Sequence, residues 1–237
     1  GSASAAPNPT ATLQVEAETL LNSTTALQVS FTNPGDQIGY YPMLEVKLPA
    51  GVTCDNTCKN AIAITTLGGA PVTVTTFGPA GGSQNFTNPV TGNNVAVTSG
   101  ESVLFFTLPV GSVAPNEPAI TYSIPVKLSA TATLGVGLPV NATGVFALGS
   151  IPNGTRGACN TNDTICSAAT PVNIVPAVLT LDKRIEALFD GSTATGPNYP
   201  RRFSLDVTVA ETKLATSVVV SDTLPDTFVL TNLPGSD

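Results

Sequence analysis

The chain has 237 residues, 11% of them charged, with 9 Lys plus Arg against 16 Asp plus Glu and a formal net charge of −7. That balance excludes nucleic acid, whose phosphates need a basic face, and disfavours anionic lipid surfaces. The sequence contains no histidine, which rules out Ser-His and Cys-His nucleophile pairs and any histidine-completed zinc site.

Residues 1–10 read as a flexible leader. The opening Gly1-Ser-Ala-Ser-Ala-Ala-Pro7 has the small residues of a cleavage-site flank, Gly1-Ser2 equally fits a cloning scar, and the chain is read as mature and exported. Thr12–Glu18 alternates apolar and polar residues, as a half-buried strand does. Leu27, Val29 and Phe31 fall on one face of the next strand, with Gln28, Ser30 and Thr32 on the other. Asn33-Pro-Gly-Asp36 is a turn, because proline sets φ and glycine accepts a positive φ. Tyr40–Leu48 is the return strand.

Further strands are predicted at Ala61–Thr66, Val72–Phe77, Asn94–Thr98, Ser102–Leu108, Ala119–Ala130, Asn141–Leu148 and Ser167–Val175. Gly78–Val90 reads as a surface loop. Pro125 cannot donate to a ladder, so an edge position or a bulge is expected there. No stretch carries a capped apolar stripe at helical period, and no helix is expected. With 21 Gly and 20 Pro punctuating Thr- and Val-rich runs, the pattern is that of an all-β sandwich or barrel.

A second module opens near Val175 with Pro176–Ile185 and continues through Arg202–Val209 and Ser217–Asp222. Residues 26–54 and 202–230 align without a gap, Leu48-Pro49 over Leu224-Pro225, as two copies of one unit would. The second module has about half the strands of the first. Half a sandwich exposes strand edges and an apolar face. The expectation is a fragment of a longer protein, or completion by strands from another chain.

The cysteines form two close pairs, Cys54-Asp-Asn-Thr-Cys58 and Cys159 with Cys166. Neither spacing is a zinc pattern. Two local disulfides are expected, as suits an oxidising compartment. Four cysteines allow three pairings, so a long-range link stays open.

Several motifs resemble the conserved repeat domain of unknown function, a tandem Ig-like module of large bacterial and archaeal surface proteins. Leu179-Thr-Leu-Asp-Lys183 is similar to its opening strand, and Val218-Val-Val-Ser-Asp-Thr-Leu-Pro225 to its Leu-Pro strand. In the first module, Phe31-Thr-Asn-Pro-Gly35, Leu44–Pro49, Val103–Leu108, Val113–Glu117 and Asn141-Ala-Thr143 follow in the family's order. Val46 stands where the family has Asp. The resemblance implies an Ig-like β-sandwich over residues 11–175 and the first half of a second Ig-like module over 176–237. It implies an extracellular stalk, layer or fibre subunit whose partners are neighbouring modules or other copies, and it implies no catalytic residues.

Candidate sites are few. Asp and Asn oxygens suit calcium, so Asp55 with Asn56, Asn162 with Asp163, and Asp222 with Asp226 are candidate Ca²⁺ ligands. These types also favour turns. Lys183 is a candidate for an intramolecular Lys–Asn isopeptide bond, with Lys47 and Lys127 also on strands. Glu16 and Glu18 are read as an exposed strand face. Two rival roles are carried forward. One is an adhesin tip gripping a host or matrix glycan or protein through loops 53–60, 78–93 and 153–166. The other is an accessory domain of a secreted carbohydrate-active enzyme.

Overall fold

The computed structural model describes residues 6–88, 90–148, 164–188, 201–211, 213 and 216–223. It divides into two compact units, Gly1–Ala177 and Val178–Asp237. The first unit contains β1 (Thr10–Gln14), β2 (Thr19–Leu20), β3 (Thr24–Thr32), β4 (Gly39–Leu48), β5 (Val52–Thr53), helix α1 (Asn56–Ala61), β6 (Ala63–Ile64), β7 (Ala70–Pro71), β8 (Thr73–Phe77), β9 (Gln84–Thr87), β10 (Asn94–Val97), β11 (Ser102–Thr107), β12 (Ser112–Val113), β13 (Ile120–Leu128), β14 (Leu138–Leu148), β15 (Ile165–Ala168), β16 (Val172–Ile174) and β17 (Pro176–Ala177). The second contains β18 (Leu179–Leu188) and β19 (Arg201–Val209).

Two sheets face each other in the first unit. The first runs β1-β3-β13-β6-β7, with β5 also on β13; the second runs β15-β14-β4-β11-β8, with β12 on β4 and β16 on β14. The order β1-β3-β13-β6 is the A-B-E-D sheet of an immunoglobulin fold, and β4-β14-β15 is its C-F-G sheet. The extra strands β11 and β8 extend the second sheet beyond β4. The fold is an all-β, Ig-like sandwich.

The alternation in sequence becomes the core. Leu27, Val29 and Phe31 of β3 and Tyr122, Ile124 and Val126 of β13 are buried, as are Leu44, Val46 and Leu48 of β4. Rings lock the sheets together. Phe106 of β11 meets Tyr122 of β13, with centroids 5.8 Å apart.

Several expectations are corrected. Residues 6–9 are not a loose leader: the Ala6 and Asn8 backbone N–H groups donate to Asp36 Oδ1 and Asn33 Oδ1, at 2.7 and 2.8 Å. Residues 56–61 form a helix, which one and a half turns are too short to show as an apolar stripe. The loop read at 78–90 contains β9, which pairs with β10; its sequence Gln-Asn-Phe-Thr is too polar to stand out as a strand. Pro125 is accommodated because β6 reaches β13 only at Tyr122 and β5 only at Lys127 and Leu128, so β3 alone lies beside the proline. Ser217–Asp222 carries no strand assignment, because no ladder partner lies alongside it among the described residues.

Candidate functional site

Cys54 and Cys58 are joined by a disulfide and buried at the start of α1. Asp55 is the helix N-cap: its Oδ1 accepts the Cys58 backbone N–H at 2.9 Å. Asn56 is the first helical residue. One Asp55 carboxylate oxygen is thus engaged by the backbone it caps. The helix and its bridge pack against β13. Cys166 is also disulfide-bonded and buried against Val145, beside Met43 and Val90. Cys159, Asn162, Asp163 and Asp226 lie outside the described residues. Among the described residues no group of three or more metal-ligating side chains occurs. Glu16 and Glu18 lie beyond the end of β1 and are exposed.

Lys183 and Asp222 come together in the second unit. The ammonium donates to both carboxylate oxygens at 2.8 Å and sits 4.9 Å from the Phe203 ring centroid. Of the two other strand lysines named above, Lys47 and Lys127, Lys47 pairs with Glu101 at 2.9 Å. Burial alone would raise the Glu101 carboxyl, but the Thr98 backbone N–H and Lys47 hold it below its ordinary value.

The β18–β19 hairpin is amphipathic in a strict sense. Its register places Leu179 opposite Val209, Leu181 opposite Val207, Lys183 opposite Leu205 and Ile185 opposite Phe203. These eight share one face, and only Lys183 among them is polar. Leu179, Leu181, Ile185, Leu205 and Val207 are 37% to 63% exposed. On the opposite face Asp182 faces Asp206 across the ladder, and Arg184 pairs with both. Beside the hairpin, Val218 and Val220 are half as exposed as Val219, the alternation of an extended segment held by Asp222.

A third location escaped sequence reading. Glu45 lies on the outer face of β4, between Phe105 of β11 and Thr143 of β14 in register. The 78–101 excursion folds over that face. Ala80, Val97 and Val103 form a small second core there with Phe77, Phe86 and Val95. Asn88 donates to Glu45 Oε2 at 2.5 Å. Burial pushes the Glu45 carboxyl above its ordinary value, with the Asn88 bond acting against that. The cavity beside them, lined by Glu45, Phe77, Phe86, Asn88, Val95 and Phe105, has about 10 Å³ of free space. That is room for one water rather than a ligand. No local signal marks Glu45, because residues more than forty positions away bury it.

No family model matches the chain, and no curated protein does. Solved structures resemble it distantly. The major pilin subunit of Bacillus cereus superposes at a TM-score of 0.39 with 9% identity, covering 86% of this chain and 56% of the pilin. The chain thus spans about half of that subunit. A bacterial hydrophobin gives a TM-score of 0.32 with 13% identity, covering 72% of this chain and 95% of the hydrophobin. A cohesin module from a family 33 glycoside hydrolase of Clostridium perfringens gives 0.29 with 11% identity, covering 73% and 99%. No described helix is long and apolar enough to cross a membrane.

Proposed function

We propose that the chain is a structural module of an exported cell-surface or extracellular-matrix protein, working as a stalk, layer or fibre subunit. Its role is mechanical rather than catalytic. The observation that carries this reading is the open apolar face of β18–β19. A two-stranded ribbon is marginal alone. Covering this face with the β layer of a neighbouring module or another copy contributes roughly 25 cal/mol per Å² of apolar surface removed from water. The long ladders of β3 with β13 and β4 with β14 suit a load-bearing unit. The buried disulfide at Cys54–Cys58 suits an oxidising location.

The test is association in solution. Light scattering across a concentration series should show the protein assembling through micromolar to millimolar range, with filaments or sheets by electron microscopy. Leu181→Asp, which charges the middle of the open face, should leave a folded monomer. A wild-type protein that stays monomeric throughout would end the reading.

A further inference from the structure

Four of the exposed large apolar residues of the first unit lie together, while Leu67, Leu134 and Val136 lie elsewhere. Ile38, Tyr40, Tyr41 and Leu148 are all exposed and gather at one end of the second sheet, where Leu148 is the cross-strand partner of Tyr40. Gly39 and Pro42 on either side are buried, so β4 presents two consecutive residues to solvent. The backbone is bent to achieve this. Tyr41 has a φ of 52°, a left-handed conformation that a bulky side chain rarely adopts. Its N–H is fixed to the Gly111 carbonyl at 2.9 Å. The strain returns no packing, because Tyr41 is 57% exposed and Tyr40 46%. Such outliers cluster at ligand-binding and active sites.

The chemistry of the surroundings narrows that use. Residues 37–44, 108–116 and 138–148 contain no Asp, Glu, Lys or Arg. The charges that bound these stretches, Asp36, Glu45 and Glu117, are all acidic, so among the described residues an anionic ligand would find no counter-charge there. The polar groups at hand are the Tyr hydroxyls, the exposed Gln37 amide, the Ser112 hydroxyl opposite Tyr40 and, next to Gln37, the Asp36 carboxylate that accepts the Ala6 N–H. Protein partners need roughly 800 Å² from each side, far more than four side chains supply. A neutral sugar ring fits better. Its C–H face is apolar and close to a tyrosyl ring in size, and its rim hydroxyls pair with neutral donors and acceptors. Tyrosine offers such amphipathic area at little conformational cost. We propose that Tyr40 and Tyr41 form a stacking platform for a neutral, pyranose-based glycan. The platform lies outside the loops 53–60 and 78–93, and it does not depend on the assembly reading above.

Affinity electrophoresis tests it, using the 237-residue chain in gels containing hydroxyethyl cellulose, laminarin, galactomannan or glycol chitin, with polygalacturonate as the anionic control. At least one neutral gel should retard the protein and polygalacturonate should not. Tyr40→Ala and Tyr41→Gly should each weaken retardation at least tenfold. Tyr41→Gly should melt at or above the wild-type temperature, since glycine accepts the positive φ freely; this separates lost binding from lost folding. Absence of retardation in every neutral gel overturns the proposal. So does retardation that both variants retain, or a shift in self-association of the variants with glycan binding unchanged.

Discussion

Phe31 and Phe146 meet edge to face across the two sheets, with ring centroids 5.5 Å apart and planes at 90°. The pair ties β3 to β14 in the middle of the sandwich, and both rings are fully buried. Gly39 makes room for it: a methyl group there would run into the Phe146 ring. Truncating the ring removes apolar contact and leaves a cavity. Phe146→Ala should therefore cost about 3–5 kcal/mol. Urea denaturation would show this as a lower midpoint with an unchanged slope. A loss below 1 kcal/mol would mean that the sheets do not depend on this contact.

Much of this core was legible beforehand, and the reason is period. Leu27, Val29 and Phe31 alternate with polar residues, and a pleated strand turns alternate residues to one face. The strand could be read without knowing its partners. Asp55 shows the converse. Its Asp-Asn-Thr-Cys sequence suits a calcium-binding turn as well as a helix cap, and only the structure, through the donated Cys58 N–H, shows that it caps α1. Glu45 was illegible for a different reason. Local alternation places it on an outer face, and the 78–101 excursion that covers this face is remote in sequence. Tyr41 was read simply as strand, because a positive φ leaves no mark in composition. Cys159, Asn162, Asp163 and Asp226, candidate site residues from the sequence, lie outside the described residues.

Tyr122 is fully buried, and among the described residues its hydroxyl has no hydrogen-bond partner. Burial also holds its phenol well above the ordinary value, so it stays protonated. A buried donor without an acceptor is a cost that folding carries. Tyr122→Phe keeps the packing against Phe106 and removes that cost. The expected result is a gain of about 1 kcal/mol, or about 2–4 °C in melting temperature. A loss of similar size would reveal an unseen water or polar partner at that hydroxyl.

Glu45 gives a pH dependence whose sign follows from its burial. The folded protein holds the carboxyl above its ordinary value, so ionisation is less favourable folded than unfolded. The group therefore opposes folding at neutral pH. That penalty fades as pH falls through the raised folded value toward 4.5, the unperturbed one, where both states become protonated. Glu45→Gln keeps an acceptor for the Asn88 amide and removes the charge. Thermal melts should find it more stable than wild type at pH 7, with the two converging near pH 4. A variant less stable at pH 7 would show that the carboxylate is favoured by groups not identified around it.

The Cys54–Cys58 bridge spans a sequence separation of 4. So short a loop constrains the unfolded chain modestly, by about 2 kcal/mol in the chain-entropy view. Asp55 continues to cap α1 without it. The double variant Cys54→Ala with Cys58→Ala should therefore remain folded and lose about 2 kcal/mol. Hydrogen exchange should speed up over residues 54–62, while β3 and β4 stay protected. Loss of protection in both sheets would show that the bridge supports the whole sandwich.

Among the described residues, the Asn33 side chain makes four hydrogen bonds. It is buried, and its amide donates to the Gln37 and Val113 carbonyls at 2.8 and 2.9 Å. Its Oδ1 accepts the Asn8 and Gly35 backbone N–H groups at 2.8 and 3.2 Å. One side chain thus ties residues 6–9, the Pro34-Gly35 turn and β12 together. This gives a physical reason for asparagine in the Thr32-Asn33-Pro34-Gly35 turn: an amide presents two donors and a two-lone-pair acceptor at once. Asp at this position keeps the acceptor and loses both donors, leaving two carbonyls facing a carboxylate. Asn33→Asp should cost about 2–4 kcal/mol, more than the neutral truncation Asn33→Ala at about 2–3 kcal/mol, since unpaired buried groups cost roughly 1–3 kcal/mol and charges more. Denaturation of both variants at pH 7 checks the order, and an aspartate variant as stable as wild type would show that this network does not fix the turn.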